Sequence, residues 1–145
     1  MTAYADTGLL CSLYAPDAHT SRVVARMQRQ ALPLPMTWLH QLEFRNALRL
    51  RVFRGEITPP QRDASLNAFL ADVAAGVLAA AAPPLADTLT EAERLSALHT
   101  ETTGTRSLDV LHVAAALELG ARRFVTGDGR QARLAEAVKL KVTEI

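Results

Sequence analysis

Cysteine, aromatic residues, charge of one sign and long apolar runs are all scarce in this chain, and each scarcity removes a class of answer. Cys11 is the only cysteine in 145 residues, which excludes an intramolecular disulfide and a cysteine-built zinc cluster and fits a reducing compartment. Its side chain reads as a small core residue. Aromatic residues make up 5%, too few for a broad base-stacking platform. Lys and Arg total 16 against 15 Asp and Glu, a net charge of +1, so any argument for a polyanionic partner must be local. The longest apolar run, Val77 to Leu85, is too short to cross a bilayer and contains Pro83-Pro84. The opening residues Met1 to Asp6 lack the basic start and apolar stretch of a secretion signal. A soluble cytoplasmic protein with no membrane contact is the expectation.

What is present fits one compact unit over 1–145. A hydrophobic content of 49% lies outside the disordered range, and a chain of this length buries roughly two-thirds of the surface its unfolded form exposes. Short extended segments are predicted at Thr2 to Asp6, Leu34 to Thr37, Val77 to Ala81, Arg123 to Thr126 and Leu140 to Thr143. Helical patterns alternate with them: Leu9 to Tyr14, Ala18 to Gln30, Trp38 to Arg54, Thr58 to Ala75, Asp87 to Thr100, Ser107 to Leu119 and Arg130 to Ala137. Alternation of this kind predicts an α/β fold, an open parallel sheet covered by helices. Gly55 and Gly120 read as C-caps, and Thr58 with Pro59 as a helix start. The 77–81 segment is also compatible with helix, because alanine is a weak strand former.

In an open parallel sheet, ligands bind beyond the carboxyl ends of the strands. Asp6 closes the first strand and Asp128 follows Thr126 at the end of a later one. Glu43 flanks a stripe of Leu39, Leu42, Asn46, Leu50 and Phe53 on the long helix at about 100° per residue, and Asp109 shares a face with Val113, Ala116 and Leu117. Taken singly, each acid has an ordinary reading: a helix cap at Asp6, a helix-dipole partner at Asp109, turn chemistry at Asp128, a surface residue at Glu43. Taken together, they fall at or near one end of one sheet. Carboxylates so gathered repel one another, and a divalent cation removes the conflict. An all-oxygen set suits Mg²⁺ or Mn²⁺, and such an ion can activate water for phosphodiester hydrolysis. Arg45, Arg49, Arg51 and Arg54 follow Glu43, and Arg22, Arg26 and Arg29 form a second cluster. Both are candidate phosphate contacts, with Arg45 and Arg49 placed best.

These segments resemble the PIN-domain nucleases, and in particular the VapC ribonuclease toxins of bacterial toxin–antitoxin pairs. The likeness rests on Ala5-Asp6-Thr7, on Leu42-Glu43-Phe44-Arg45-Asn46-Ala47-Leu48, on Asp109 opening the alanine-rich run to Ala116, and on Phe124-Val125-Thr126-Gly127-Asp128, in order along nearly the whole chain. It implies a single-domain three-layer α/β/α sandwich with a parallel sheet of about five strands, Mg²⁺- or Mn²⁺-dependent cleavage of RNA, a homodimer, and a small cognate antitoxin as partner. Carried over residue by residue, Asp6, Glu43, Asp109 and Asp128 are catalytic and metal-ligating, and Thr7 and Thr126 hydrogen-bond those carboxylates; Asn46, from its place in the middle of the helix stripe, reads as a further support for them. The glycines on either side of Asp128 depart from bulkier relatives, and His112 has no role in the family pattern and reads as structural or superficial. A receiver-like signalling domain would need an acceptor Asp where Ala81-Ala82-Pro83 ends the third strand. A phosphatase with an aspartyl intermediate would need an Asp at the position of Gly8. A PIN-like module acting only in binding is the remaining alternative.

Overall fold

The structure is a computed structural model that describes residues 3–28 and 33–145. In chain order its elements are β1 (Ala3–Ala5), α1 (Thr7–Tyr14), α2 (Thr20–Met27), β2 (Leu34–Met36), α3 (Trp38–Phe53), α4 (Pro59–Ala74), β3 (Leu78–Ala80), α5 (Leu85–Leu95), α6 (Glu101–Thr103), α7 (Ser107–Glu118), β4 (Arg123–Thr126), α8 (Gly129–Ala137) and β5 (Lys141–Glu144). A π-helical turn, Ser96–Thr100, joins α5 to α6, so helix continues to Thr103, beyond the predicted end at Thr100. The expected extension of the first strand to Thr2, and of α2 to Gln30 with Arg29, lies outside the described residues. Every strand pairing is parallel, as the alternation of strands and helices predicts. The hydrogen bonds divide the five strands into a ladder of three, β1-β4-β5, and a ladder of two, β2-β3.

The chain forms two compact units. The first comprises residues 1–6 and 81–145 and carries β1, β4 and β5 with α5 to α8. Tyr4 stacks on Phe124 across neighbouring strands with ring centroids 5.5 Å apart, at a position where the two residues are directly paired. Val113, Ala114, Ala115 and Ala116 of α7 are fully buried in the same core with Leu95 and Leu134. Three successive alanines give α7 a thin profile and let its backbone come close to its neighbours, which keeps the core dense. His112 is buried here, its Nδ1 2.7 Å from the Tyr4 hydroxyl. Its structural reading holds, and it is not a surface residue.

The second unit comprises residues 7–80. Thr37 caps α3 in a reciprocal box with His40: the Thr37 hydroxyl accepts from the His40 N–H, and the Thr37 N–H donates to His40 Nδ1 at 3.1 Å. That pairing gives Nδ1 of a buried imidazole its hydrogen-bond partner. Thr58 and Gln61 repeat the device at α4. Phe44 stacks on Phe69 with centroids 4.5 Å apart, and Tyr14 meets both edge-on.

The α3 stripe is a correction to the sequence reading. Its buried residues are Leu39, His40, Phe44 and Leu48, whereas Leu42 is 66% exposed, Phe53 is 88% exposed and Asn46 is also exposed. Apolar residues occupy two faces of this helix, so periodicity alone selected the wrong one. Among the described residues no helix is long and apolar enough to cross a membrane.

Candidate active site

Asp6 follows the last residue of β1 and extends that strand's pairing, donating its backbone N–H to the Val125 carbonyl at 3.0 Å. The side chain is thereby carried to the carboxyl end of β1, beside the carboxyl end of β4. It is buried, and its Oδ2 accepts from the Thr126 hydroxyl at 2.6 Å. Burial of an ionised carboxylate requires such partners.

Thr126, the last residue of β4, joins more than Asp6. Its Oγ1 also lies 2.7 Å from Gln131 Oε1 and accepts the backbone N–H of Asp128 at 3.0 Å. Gln131 then donates from Nε2 to the Asp109 carbonyl oxygen at 3.2 Å. One buried threonine and one buried glutamine therefore tie β1, β4, α8 and α7 together at this corner. The sequence reading did not single out Gln131. Its signal was present, because an amide three residues after an N-capping acid is the spacing of a capping box.

Asp128 is the N-cap of α8, its Oδ1 accepting from the Arg130 N–H at 2.8 Å and the Gln131 N–H at 3.1 Å. The ordinary capping role is thus real, and it fixes a carboxylate that the flanking glycines would otherwise leave loose. Asp109 sits half-buried in the first turn of α7, with Oδ2 3.8 Å from Arg106 Nε. Burial raises its pKa above the ordinary carboxylate value, and the charges of Asp128 and Asp6 push the same way, against the opposing influence of Arg106 and His112. Asp6, Asp109 and Asp128 therefore share one electrostatic neighbourhood within the first unit.

In the second unit the Thr7 hydroxyl donates to Glu43 Oε1 at 2.9 Å. Glu43 is thus held by the residue that follows Asp6 in the chain. Asn46 lies one turn further along α3 and is exposed. Arg45 donates from Nε to Gln41 at 3.3 Å, and Arg45 and Arg49 line a cavity of about 300 Å³ with Arg62 and Asp63.

Among the described residues, no three His, Cys, Asp or Glu side chains converge into a ready-made metal cage. The donor set nonetheless fits Mg²⁺ or Mn²⁺. These are hard ions for which carboxylate oxygens are proper ligands, and Mg²⁺ keeps several waters and takes only one or two protein carboxylates directly. Burial raises Asp109 first and the charges of Asp128 and Asp6 add to it, and that repulsive part is what a cation would reverse.

No protein-family model matches the chain, and no curated protein matches it significantly. Solved structures do. VapBC2 from Rickettsia felis, crystallised bound to a DNA fragment from their promoter, aligns with a TM-score of 0.64 at 14% identity over 99% of this chain and 98% of that one. FitAcB from Neisseria gonorrhoeae aligns at 0.67 and 15% identity, over 99% of this chain and 97% of that one. Likeness at this identity establishes the α/β fold over the full length of the chain.

Proposed function

We propose that the protein is a metal-dependent endoribonuclease of the PIN type, the toxin of a toxin–antitoxin pair. The observation that carries this reading is the grouping of Asp6 and Asp128, beyond the carboxyl ends of the adjacent parallel strands β1 and β4, with Asp109 in the first turn of α7, cross-linked through Thr126 and Gln131. Proteins of the VapBC2 and FitAcB complexes share the fold, and the sequence motifs resemble the VapC toxins at these same acids. A cognate antitoxin and a homodimer follow from that resemblance.

In this reading Asp6, Asp109 and Asp128 hold Mg²⁺ or Mn²⁺, and Glu43 as a further ligand rests on the sequence resemblance alone. When bound, the ion supplies an activated water and neutralises charge at the phosphodiester. The protein's own groups do the rest. Thr126 holds Asp6 by its Oδ2 and keeps that carboxylate oriented, and Thr7 does the same for Glu43. Arg106 offsets part of the charge at Asp109. Arg45 and Arg49 take backbone phosphates of the RNA through their guanidinium forks.

The test is cleavage of structured and single-stranded RNA by the wild type and by Asp6→Asn, with Mg²⁺, Mn²⁺ or EDTA. Cleavage that needs the metal and is lost in the variant is expected. RNA left intact under every metal condition argues instead for a binding module of the same fold.

A further inference from the structure

Around the Asp128 loop the first unit has a groove of about 540 Å³, lined by Arg106, Gly127, Asp128, Gly129, Arg130 and Arg133. Three of the six lining residues are arginines, in a protein whose net charge is only +1. Arg130 and Arg133 are one turn apart on α8 and both exposed, so their guanidinium groups serve the same side of the helix. Neither makes an ion pair among the described residues, whereas Arg106 stands 3.8 Å from Asp109. The acids at the groove are Asp128 and, at its margin, Glu144, whose Oε1 would lie 3.5 Å from a Cβ added at Gly129. With Asp109 beside Arg106 the acids number three, equal to the arginines, so what the groove offers is the two arginines, Arg130 and Arg133, that form no ion pair among the described residues. The two glycines add no side chain between the arginines, and the nearest atoms to them, the Ile145 carbonyl oxygen and Glu144 Oε1, stand 3.5 Å from where their Cβ atoms would lie.

We infer that this groove is the path by which a single-stranded RNA backbone reaches the carboxylate group, with Arg130 and Arg133 holding phosphates that flank the bond to be cut and Arg106 set between the groove and Asp109. The inference rests on the nuclease reading and adds to it a substrate track separate from the arginine clusters that the sequence marks out, Arg45 and Arg49 among them. Guanidinium is the group suited to this task, because its fork meets phosphate oxygens in pairs. Exposed, unpaired arginines also lose little on binding, having no ion pair of their own to give up.

The experiment is fluorescence anisotropy with a fluorescein-labelled oligouridine RNA and the full chain in EDTA, where the proposed reaction stops and only binding is read. Arg130→Ala/Arg133→Ala is expected to bind about tenfold more weakly. Its slope of log affinity against log salt is expected to be shallower by about 1.4, the value for two lost phosphate contacts on a single strand. Arg130→Lys/Arg133→Lys keeps both charges and should retain the slope. If the alanine pair proves unfolded by circular dichroism, Arg133→Gln alone should lower the slope by about 0.7.

Unchanged affinity and slope in a folded variant overturn the inference. So does a parent protein that binds no oligouridine, or one that releases it to polyglutamate, which would mark the groove as a seat for an acidic protein segment. Cleavage by the parent with Mg²⁺ is scored separately. RNA binding through these arginines without cleavage would remove the nuclease reading and leave the groove, and cleavage with no effect of the arginines would do the reverse.

Discussion

The Thr126 hydroxyl has one proton to give, yet Asp6 Oδ2 and Gln131 Oε1 stand 2.6 and 2.7 Å from it while the Asp128 N–H donates to its lone pair. Thr126→Val keeps the shape and removes all three interactions, leaving a buried carboxylate short of a donor. The expected loss is about 1–3 kcal/mol in urea unfolding, with Thr126→Ser close to the wild type. Asp109 should behave in the opposite way. Its folded pKa is raised by burial and by Asp128 and Asp6, so the stability it contributes is full below the unfolded carboxylate pKa and is lost as pH rises through the folded value. Asp109→Asn removes that dependence. Without metal it should match or exceed the wild type in thermal stability at neutral pH, even though it should lose cleavage. A variant that melts well below the wild type at neutral pH would contradict this account of the site. At this scale the sequence was informative where a rule links position to chemistry: Asp6 and Asp128 are legible as acids at strand ends. Gln131 is marked only by its capping-box spacing from Asp128, a signal that depends on first reading Asp128 as an N-cap. Asn46 was counted as supporting the acids from its place in an apolar stripe, and its exposure shows that the stripe is not core.

α3 shows why an element can be legible in extent and not in orientation. Its start and end follow from the Thr37 cap and from Gly55, which takes the left-handed conformation at φ 73°. Which face it buries depends on the aromatic pair Phe44–Phe69, a contact between distant segments that no local pattern contains. Phe44→Ala should therefore cost about 3–5 kcal/mol, while Phe53→Ser, on the exposed side of the same helix, should stay within about 0.5 kcal/mol. Chemical denaturation of the two variants distinguishes them, and equal losses would mean that the buried face is misassigned. Among the strands, β4 was predicted at its observed limits, whereas β3 was the least secure because of its alanines. Its parallel pairing with β2 supplies the hydrogen bonds that its composition does not advertise.

For the whole molecule, the alternation of strands and helices predicted a parallel α/β fold. The structure and its likeness to two solved structures over 99% of the chain agree with that. The division of the strands into ladders of three and two was not legible, since strands of three or four residues are too short for side-chain alternation to specify a partner. Net charge was equally uninformative, because it cannot show that Arg106, Arg130 and Arg133 gather around one groove. The central claim is that Asp6, Asp109 and Asp128 form a metal centre although no cage is preformed among them. Mn²⁺ binding followed by paramagnetic resonance, in the wild type and in Asp6→Asn, Asp109→Asn and Asp128→Asn, tests this most directly. The account predicts saturable binding to the wild type and a loss of about tenfold or more in affinity in each variant. Equal binding by all four proteins, or none by any, would contradict it.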